Sequence, residues 1–219
     1  MNKKEKTVLL SVPNISGNEL KYVKECLDTG WISSAGGYVD KFEQMVADYA
    51  GAKYGIATMN GTAALHLSLY ASNIGPGDEV IVPAMSHVAT AHAVEYCGAK
   101  PIFADVDPKS GNISPESISN SITERTKAIM VVHFLGLPCE MDAINRIASS
   151  IGALVFEDAA LALGAKYGNK ISGNLATAGC FSFYPIKHVT SIEGGMVTTN
   201  DERLARSIQQ RKAFGYDHN

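Results

Sequence analysis

The 219-residue chain is 46% hydrophobic and 19% charged, with a formal net charge of −3. That balance suits a globular α/β protein that buries a core without metal or disulfide, and it offers no basic footprint for nucleic acid or an anionic membrane. Cys26, Cys97, Cys139 and Cys180 are widely spaced with no C-x-x-C pair, and the charged start 1–6 leads into no sustained apolar run; zinc ribbons, disulfide frameworks, signal peptides and membrane spans are set aside in favour of reduced thiols in the cytoplasm.

Residues 1–50 read as an N-terminal helical segment, with helices over 19–29 and 39–49. Between them lies a loop of small residues, 30–37, that carries Trp31 and Ser33. It is open whether this loop faces a ligand or merely connects. From residue 51 to 219 the pattern changes to a larger unit of alternating strands and helices. Short apolar runs predict buried strands over 55–58, 79–82, 101–104, 128–132, 154–156 and 180–183, with another after Ile192. Helices are predicted over 63–72, 88–97, 141–150 and 202–211. Such alternation predicts a mostly parallel sheet with helices on both faces, and ligands in such sheets sit at the carboxyl ends of the strands.

Three strand ends carry candidate chemistry. Asn60-Gly61-Thr62 precedes the helix expected from Ala63. A helix start offers free N–H groups and a positive dipole end, so a phosphate docks there readily. Thr62 adds a hydroxyl, or else serves only as the N-cap. Glu157-Asp158 closes the apolar run 153–156; acids at that place meet a ligand or act as satisfied structural carboxylates, and the residues alone favour neither. In the stretch from Cys180 to Lys187 a strand ends, Ser182 offers a second hydroxyl, and Lys187 follows a turn stiffened by Pro185. A lysine beside an aromatic, apolar run is open to desolvation, which lowers its pKa as a Schiff-base amine requires; a solvated loop lysine is the plain alternative. The nicotinamide-binding pattern G-x-G-x-x-G does not follow the first strand, where Asn60-Gly61-Thr62-Ala63-Ala64-Leu65 stands instead.

Together these stretches resemble a family. Gly30-Trp31-Ile32-Ser33-Ser34, Tyr38-Val39 with Phe42-Glu43, Asn60 through His66, Gly77 through Pro83, Glu157-Asp158-Ala159-Ala160, Phe181-Ser182-Phe183-Tyr184 with Lys187, and Glu193 through Val197 are similar, in order, to the DegT/DnrJ/EryC1/StrS sugar aminotransferases. The pattern is most similar to the perosamine-type 4-aminotransferases. The resemblance implies the α/β large domain of the aspartate-aminotransferase type, with pyridoxal 5'-phosphate as cofactor. Lys187 is then the Schiff-base lysine and proton carrier, and Asp158 the partner of the pyridine nitrogen. Gly61, Thr62 and Ser182 hold the phosphate, and His87 takes the place of a ring that stacks on the cofactor. Trp31, Ser33 and His188 fall on the substrate side, and no metal is expected.

The implied reaction moves an amino group from glutamate to a nucleotide-linked keto-sugar, with a 4-keto-6-deoxyhexose as the best match. A branch of the same fold that removes a sugar hydroxyl carries His in place of this lysine; aligning on Pro185 puts Lys187 at that position and His188 after it, so amination is expected. A non-catalytic sensing or scaffold protein of this fold is the remaining alternative, though it would not need Lys187, Asp158, Thr62 and Ser182. Leu161 stands where many members carry a polar side chain that reaches the cofactor or substrate. Relatives continue into a C-terminal small domain and form homodimers that complete each other's sites, so residues 1–219 alone are expected to bind cofactor poorly.

Overall fold

The computed structural model describes residues 12–34, 36–212 and 214–215. In chain order its elements are α1 (Glu19–Thr29), α2 (Gly37–Ala50), β1 (Tyr54–Thr58), α3 (Gly61–Ala71), β2 (Glu79–Pro83), α4 (Ala89–Tyr96), β3 (Lys100–Ala104), α5 (Pro115–Asn120), β4 (Thr126–Val132), α6 (Met141–Ile151) and β5 (Leu154–Asp158). The short strands β6 (Lys166–Tyr167) and β7 (Lys170–Ile171) follow, then β8 (Ala178–Ser182), β9 (Gly195–Thr199) and α7 (Glu202–Lys212).

Seven strands form one sheet in the order β1-β9-β8-β5-β4-β2-β3. Every pairing is parallel except the two made by β9, which runs against both β1 and β8. The carboxyl ends of β1, β8, β5, β4 and β2 therefore share one edge of the sheet, and the start of β9 joins them. Side chains alternate between the two faces of a strand, and the core divides accordingly. Val80, Val82, Met130, Phe156 and Cys180 pack with Leu65, Leu69, Val94 and Ile208 from α3, α4 and α7. Ile81, Ile129, Val131 and Val155 pack with Ile118, Met141 and Ile144 from α5 and α6. A third cluster seats α2, through Val46 and Ala50, on Phe181, Phe183 and Met196.

The mostly parallel sheet with helices on both faces is the predicted architecture, and three local differences bear on function. First, β5 does not stop at Phe156; Glu157 and Asp158 pair with Val131 and Val132 on one side and Gly179 and Cys180 on the other. Their charge hides them from an apolar-run criterion, but the backbone is extended and fully paired. Second, α3 opens at Gly61, and its cap is Asn60, whose Oδ1 accepts from the Ala63 N–H at 2.9 Å. Thr62 is thus inside the helix and is not the N-cap. Third, α5 and the β6–β7 hairpin appear where no element was predicted, being too short to show a period.

In α1 no residue is buried; Leu20, Val23 and Leu27 are all exposed. Among the described residues no helix is long and apolar enough to cross a membrane.

Candidate active site

At the shared strand edge lies a cavity of about 350 Å³, within the usual range for small-molecule sites. Asn60, Gly61 and Thr62 line it from the start of α3, and Asp158 and Ser182 from the ends of β5 and β8. His87 lines it from the turn after β2, and Lys187 and Glu193 from the loop between β8 and β9.

The phosphate-sized end is built by close approach of backbone. A Cβ on Gly61 would lie 2.9 Å from Ser182 Cβ, and one on Gly195 would lie 2.3 Å from the Asn60 carbonyl oxygen. Only glycine at these positions lets the α3 N-terminus press against β8 and β9. The Asn60 side chain occupies the Ala63 amide, so the first amides of the helix, on Gly61 and Thr62, are left for a ligand, beside the hydroxyls of Thr62 and Ser182.

Asp158 and Lys187 also line the cavity. Asp158 is buried; its Oδ2 accepts from the Thr90 hydroxyl at 2.9 Å and its Oδ1 from the Ala160 N–H at 3.2 Å. Burial raises its pKa, while those hydrogen bonds and the nearby Lys187 charge act downward. Burial likewise lowers the Lys187 pKa, against the pull of Asp158. Lys187 is half-buried, on a loop that closes on itself. The Lys187 N–H donates to Tyr184 O at 2.9 Å, Ser191 N–H to Phe183 O at 3.0 Å, and Phe183 N–H to Gly194 O at 2.9 Å. His87 is exposed at the mouth, its Nδ1 accepting from the Ala89 N–H at 3.2 Å.

Of the residues singled out from sequence, Lys187, Asp158, Gly61, Thr62, Ser182 and His87 converge on this cavity, whereas Trp31, Ser33 and His188 are exposed and do not line it. Leu161 does not line it either, although Ala160 does. Glu157 turns out to be the structural acid of its pair: it is fully buried on the other face of the sheet. Sequence reasoning missed Thr90, which sits in the first turn of α4 three residues after His87. A hydroxyl residue in the first helical turn after a strand end was the available signal.

A heteroaromatic phosphate fits these residues. The hydroxyls and amides of the α3 start suit the phosphate, the buried Asp158 suits a protonated ring nitrogen, and the desolvated Lys187 amine suits an aldehyde.

The chain is similar to known proteins along most of its length. A model of the DegT/DnrJ/EryC1/StrS aminotransferase family matches residues 13–219. GDP-perosamine synthase of Caulobacter vibrioides is 49% identical over 212 residues, covering 97% of this chain and 57% of the relative. The chain thus spans little more than half the length of that relative. A crystal structure of an aminotransferase from Psychrobacter cryohalolentis superposes with a TM-score of 0.92 at 41% identity, covering 94% of this chain and 53% of the other. Spr1654 from Streptococcus pneumoniae, solved in a PLP-form, gives 0.87 at 28% identity, covering 94% and 57%. The chain belongs to the DegT/DnrJ/EryC1/StrS aminotransferase family, whose cofactor is pyridoxal phosphate.

Proposed function

We propose that this protein is a pyridoxal-phosphate-dependent sugar aminotransferase that moves an amino group from glutamate to a nucleotide-linked keto-sugar, a 4-keto-6-deoxyhexose being the best candidate. The observation that carries this reading is the convergence of a half-buried lysine, a buried carboxylate and a helix N-terminus on one cavity. The similarity to GDP-perosamine synthase supports the sugar-nucleotide class, and the family resemblance supports glutamate.

Bound pyridoxal phosphate supplies an aldehyde for a lysine amine and a ring that withdraws electrons from the substrate carbon. The Lys187 amine would be the group that bonds to that aldehyde; its burial favours the neutral form, and the same amine is placed to move a proton at the reacting carbon. Asp158 would accept from the ring N–H and keep that proton in place. Gly61, Thr62 and Ser182 would hold the phosphate, and His87 would serve as the ring partner at the mouth. Trp31, Ser33 and His188, outside the cavity, are assigned to the incoming nucleotide-sugar.

Lys187, and not His188, lines the cavity, which supports amination over hydroxyl removal. The reading includes a cytoplasmic homodimer whose large domain is residues 51–219, preceded by the segment 1–50 and completed by a small domain of the kind relatives possess.

The test is chemical. Protein incubated with pyridoxal phosphate is reduced with borohydride, digested and mapped by mass spectrometry. A pyridoxyl adduct on Lys187, absent in Lys187→Ala, is expected, followed by turnover of a keto-sugar nucleotide with glutamate in a screen of UDP-, GDP- and dTDP-sugars. An adduct mapped elsewhere, or sugar deoxygenation as the sole turnover, would overturn the assignment.

A further inference from the structure

We propose that Thr90 is a positioning residue for Asp158, and that Ser86, Thr90 and Asp158 form a one-way hydrogen-bond chain that fixes the plane in which the carboxylate faces the cofactor nitrogen. This deepens the proposed function and rests on it for the identity of the cofactor.

Thr90 is 1% exposed. Its Oγ1 lies 2.9 Å from Asp158 Oδ2 and 2.8 Å from Ser86 Oγ. An ionised carboxylate only accepts, and a threonine hydroxyl has a single proton to give. With Asp158 ionised, the Thr90 proton therefore points to Oδ2, and Ser86 donates to Thr90. Oδ1 is engaged by the Ala160 N–H at 3.2 Å. Each oxygen thus has one internal donor, which fixes the carboxylate plane and leaves the remaining lone pairs to the cavity.

The same short turn holds His87. The Thr90 N–H donates to His87 O at 3.2 Å, and the Ala89 N–H to His87 Nδ1 at 3.2 Å. One turn, 86–90, therefore places the imidazole at the cavity mouth and the hydroxyl behind Asp158. His87 lines the cavity directly, whereas Thr90 lies behind the lining residues and acts through Asp158.

The titratable groups near Asp158 are Lys187 from the loop after β8 and Cys180 on β8, with His133, just past the end of β4, on the far face of the sheet; α4 contributes the Thr90 hydroxyl. Burial raises the Asp158 pKa, and the Thr90 hydrogen bond opposes that. The native state therefore holds this proton more tightly than the unfolded chain does. Stability is greatest below the unfolded value and falls as pH rises through the native one. Without the hydroxyl, the fall extends to higher pH.

The experiment uses the full-length protein, with Thr90→Val, Thr90→Ser and Ser86→Ala made in wild-type and Asp158→Asn backgrounds. In cofactor-free melts from pH 5 to pH 8, we expect the melting temperature lost by Thr90→Val to grow with pH. Thr90→Ser should follow wild type, Ser86→Ala should show a smaller loss of the same sign, and the pH dependence should vanish in Asp158→Asn. A loss that is constant with pH in both backgrounds would mean packing alone and would overturn the proposal. In the loaded protein, Thr90→Val should lower kcat about tenfold with the donor KM unchanged. It should also move the acid limb of the pH profile up by about one unit, as should the pH titration of the cofactor absorbance; an unmoved limb with lost occupancy overturns the proposal equally. Should wild type take no adduct at Lys187, the proposed function fails, while the melts still decide the Thr90–Asp158 coupling. Should Thr90→Val not fold, Ser86→Ala against Thr90→Ser decides it.

Discussion

Two acids stand side by side at the end of β5 and look into different regions of the molecule. On the far face of the sheet, Glu157 accepts from His133 Nε2 at 2.9 Å and from the amides of Gly173 and Leu175 at 2.7 Å each. His133 Nδ1 accepts from the Cys139 N–H at 3.2 Å, which assigns the ring proton to Nε2 and makes the imidazole a neutral donor. That region is closed: every partner belongs to the fold. On the near face Asp158 has two internal donors and opens on a cavity that also holds Lys187. The difference teaches that burial of an acid does not by itself mark a functional site. A buried carboxylate whose lone pairs are filled by the fold holds the fold together, and one with capacity left toward a cavity is kept for a ligand.

Substitutions on the two faces should separate function from stability. The largest effect belongs to Lys187→Ala, which removes both the nucleophile and the proton carrier. Turnover should fall by on the order of 10³-fold or more, with unfolding free energy within about 1 kcal/mol of wild type, as for a residue outside the core. A variant that keeps a tenth of wild-type turnover would remove Lys187 from the chemistry. Glu157→Ala should do the reverse. It strands the His133 donor and two amides in a buried interior, so urea unfolding should show a loss of about 3–5 kcal/mol, three unsatisfied donors at about 1–3 kcal/mol each with partial relaxation, while the Lys187 adduct still forms in whatever protein folds. A loss below about 1 kcal/mol, no more than one ordinary hydrogen bond contributes, would mean that the far face is less closed than its geometry indicates.

Asp158→Asn should give a smaller stability effect of opposite sign. The Asn side chain keeps an acceptor for Ala160 and turns its amide toward Thr90, whose hydroxyl can then donate to Ser86. In cofactor-free protein the raised Asp158 pKa means that wild type loses stability as pH climbs from the ordinary carboxylate value through the native one. Asn does not titrate. The variant should match wild type near pH 4 and exceed it by about 1 kcal/mol at neutral pH, while turnover collapses, as expected where a site is held at a cost to stability. Equal stability at every pH would show that Asp158 carries no burial penalty.

How much of this was legible in the sequence follows from which signals are local. The parallel sheet was readable because its strands are apolar runs punctuated by turns; Lys187, Asp158, Gly61, Thr62 and Ser182 stood out as candidates at or just past the ends of such runs, but the runs left each of them open and only the family resemblance singled them out. The division between Glu157 and Asp158 was not readable, since it depends on which face of β5 meets α4, a tertiary fact. Counting back from buried Phe156 and Val155 recovers it only once the faces are known. Thr90 offered only the weak signal of a hydroxyl in the first helical turn, and its contact with Asp158 is a tertiary fact of the same kind. The cap on α3 was misjudged by two residues, because Asn60 and Thr62 are both good caps and only the extended backbone at Asn60 decides between them.

The near face also contains a strained residue. Ile192 has φ of 72°, the left-handed region that costs an L-residue about 1–2 kcal/mol and a β-branched one the most. It lies on the Lys187 loop, next to cavity-lining Glu193, with its N–H donating to Thr190 Oγ1 at 3.0 Å and the following carbonyl accepting from Ser191 Oγ at 2.8 Å. Its side chain is 76% exposed, so little packing is lost on removal. Ile192→Gly relieves the strain but adds freedom to the unfolded chain, worth about 0.5–1 kcal/mol. The net expectation is a gain of about 0.5–1 kcal/mol in urea unfolding. Ile192→Asn, which tolerates this conformation without the extra unfolded freedom, should gain as well. If both variants lose stability, the left-handed backbone at Ile192 is not a source of strain, and the cavity side of β5 bears its cost through the desolvated Asp158 and Lys187 alone.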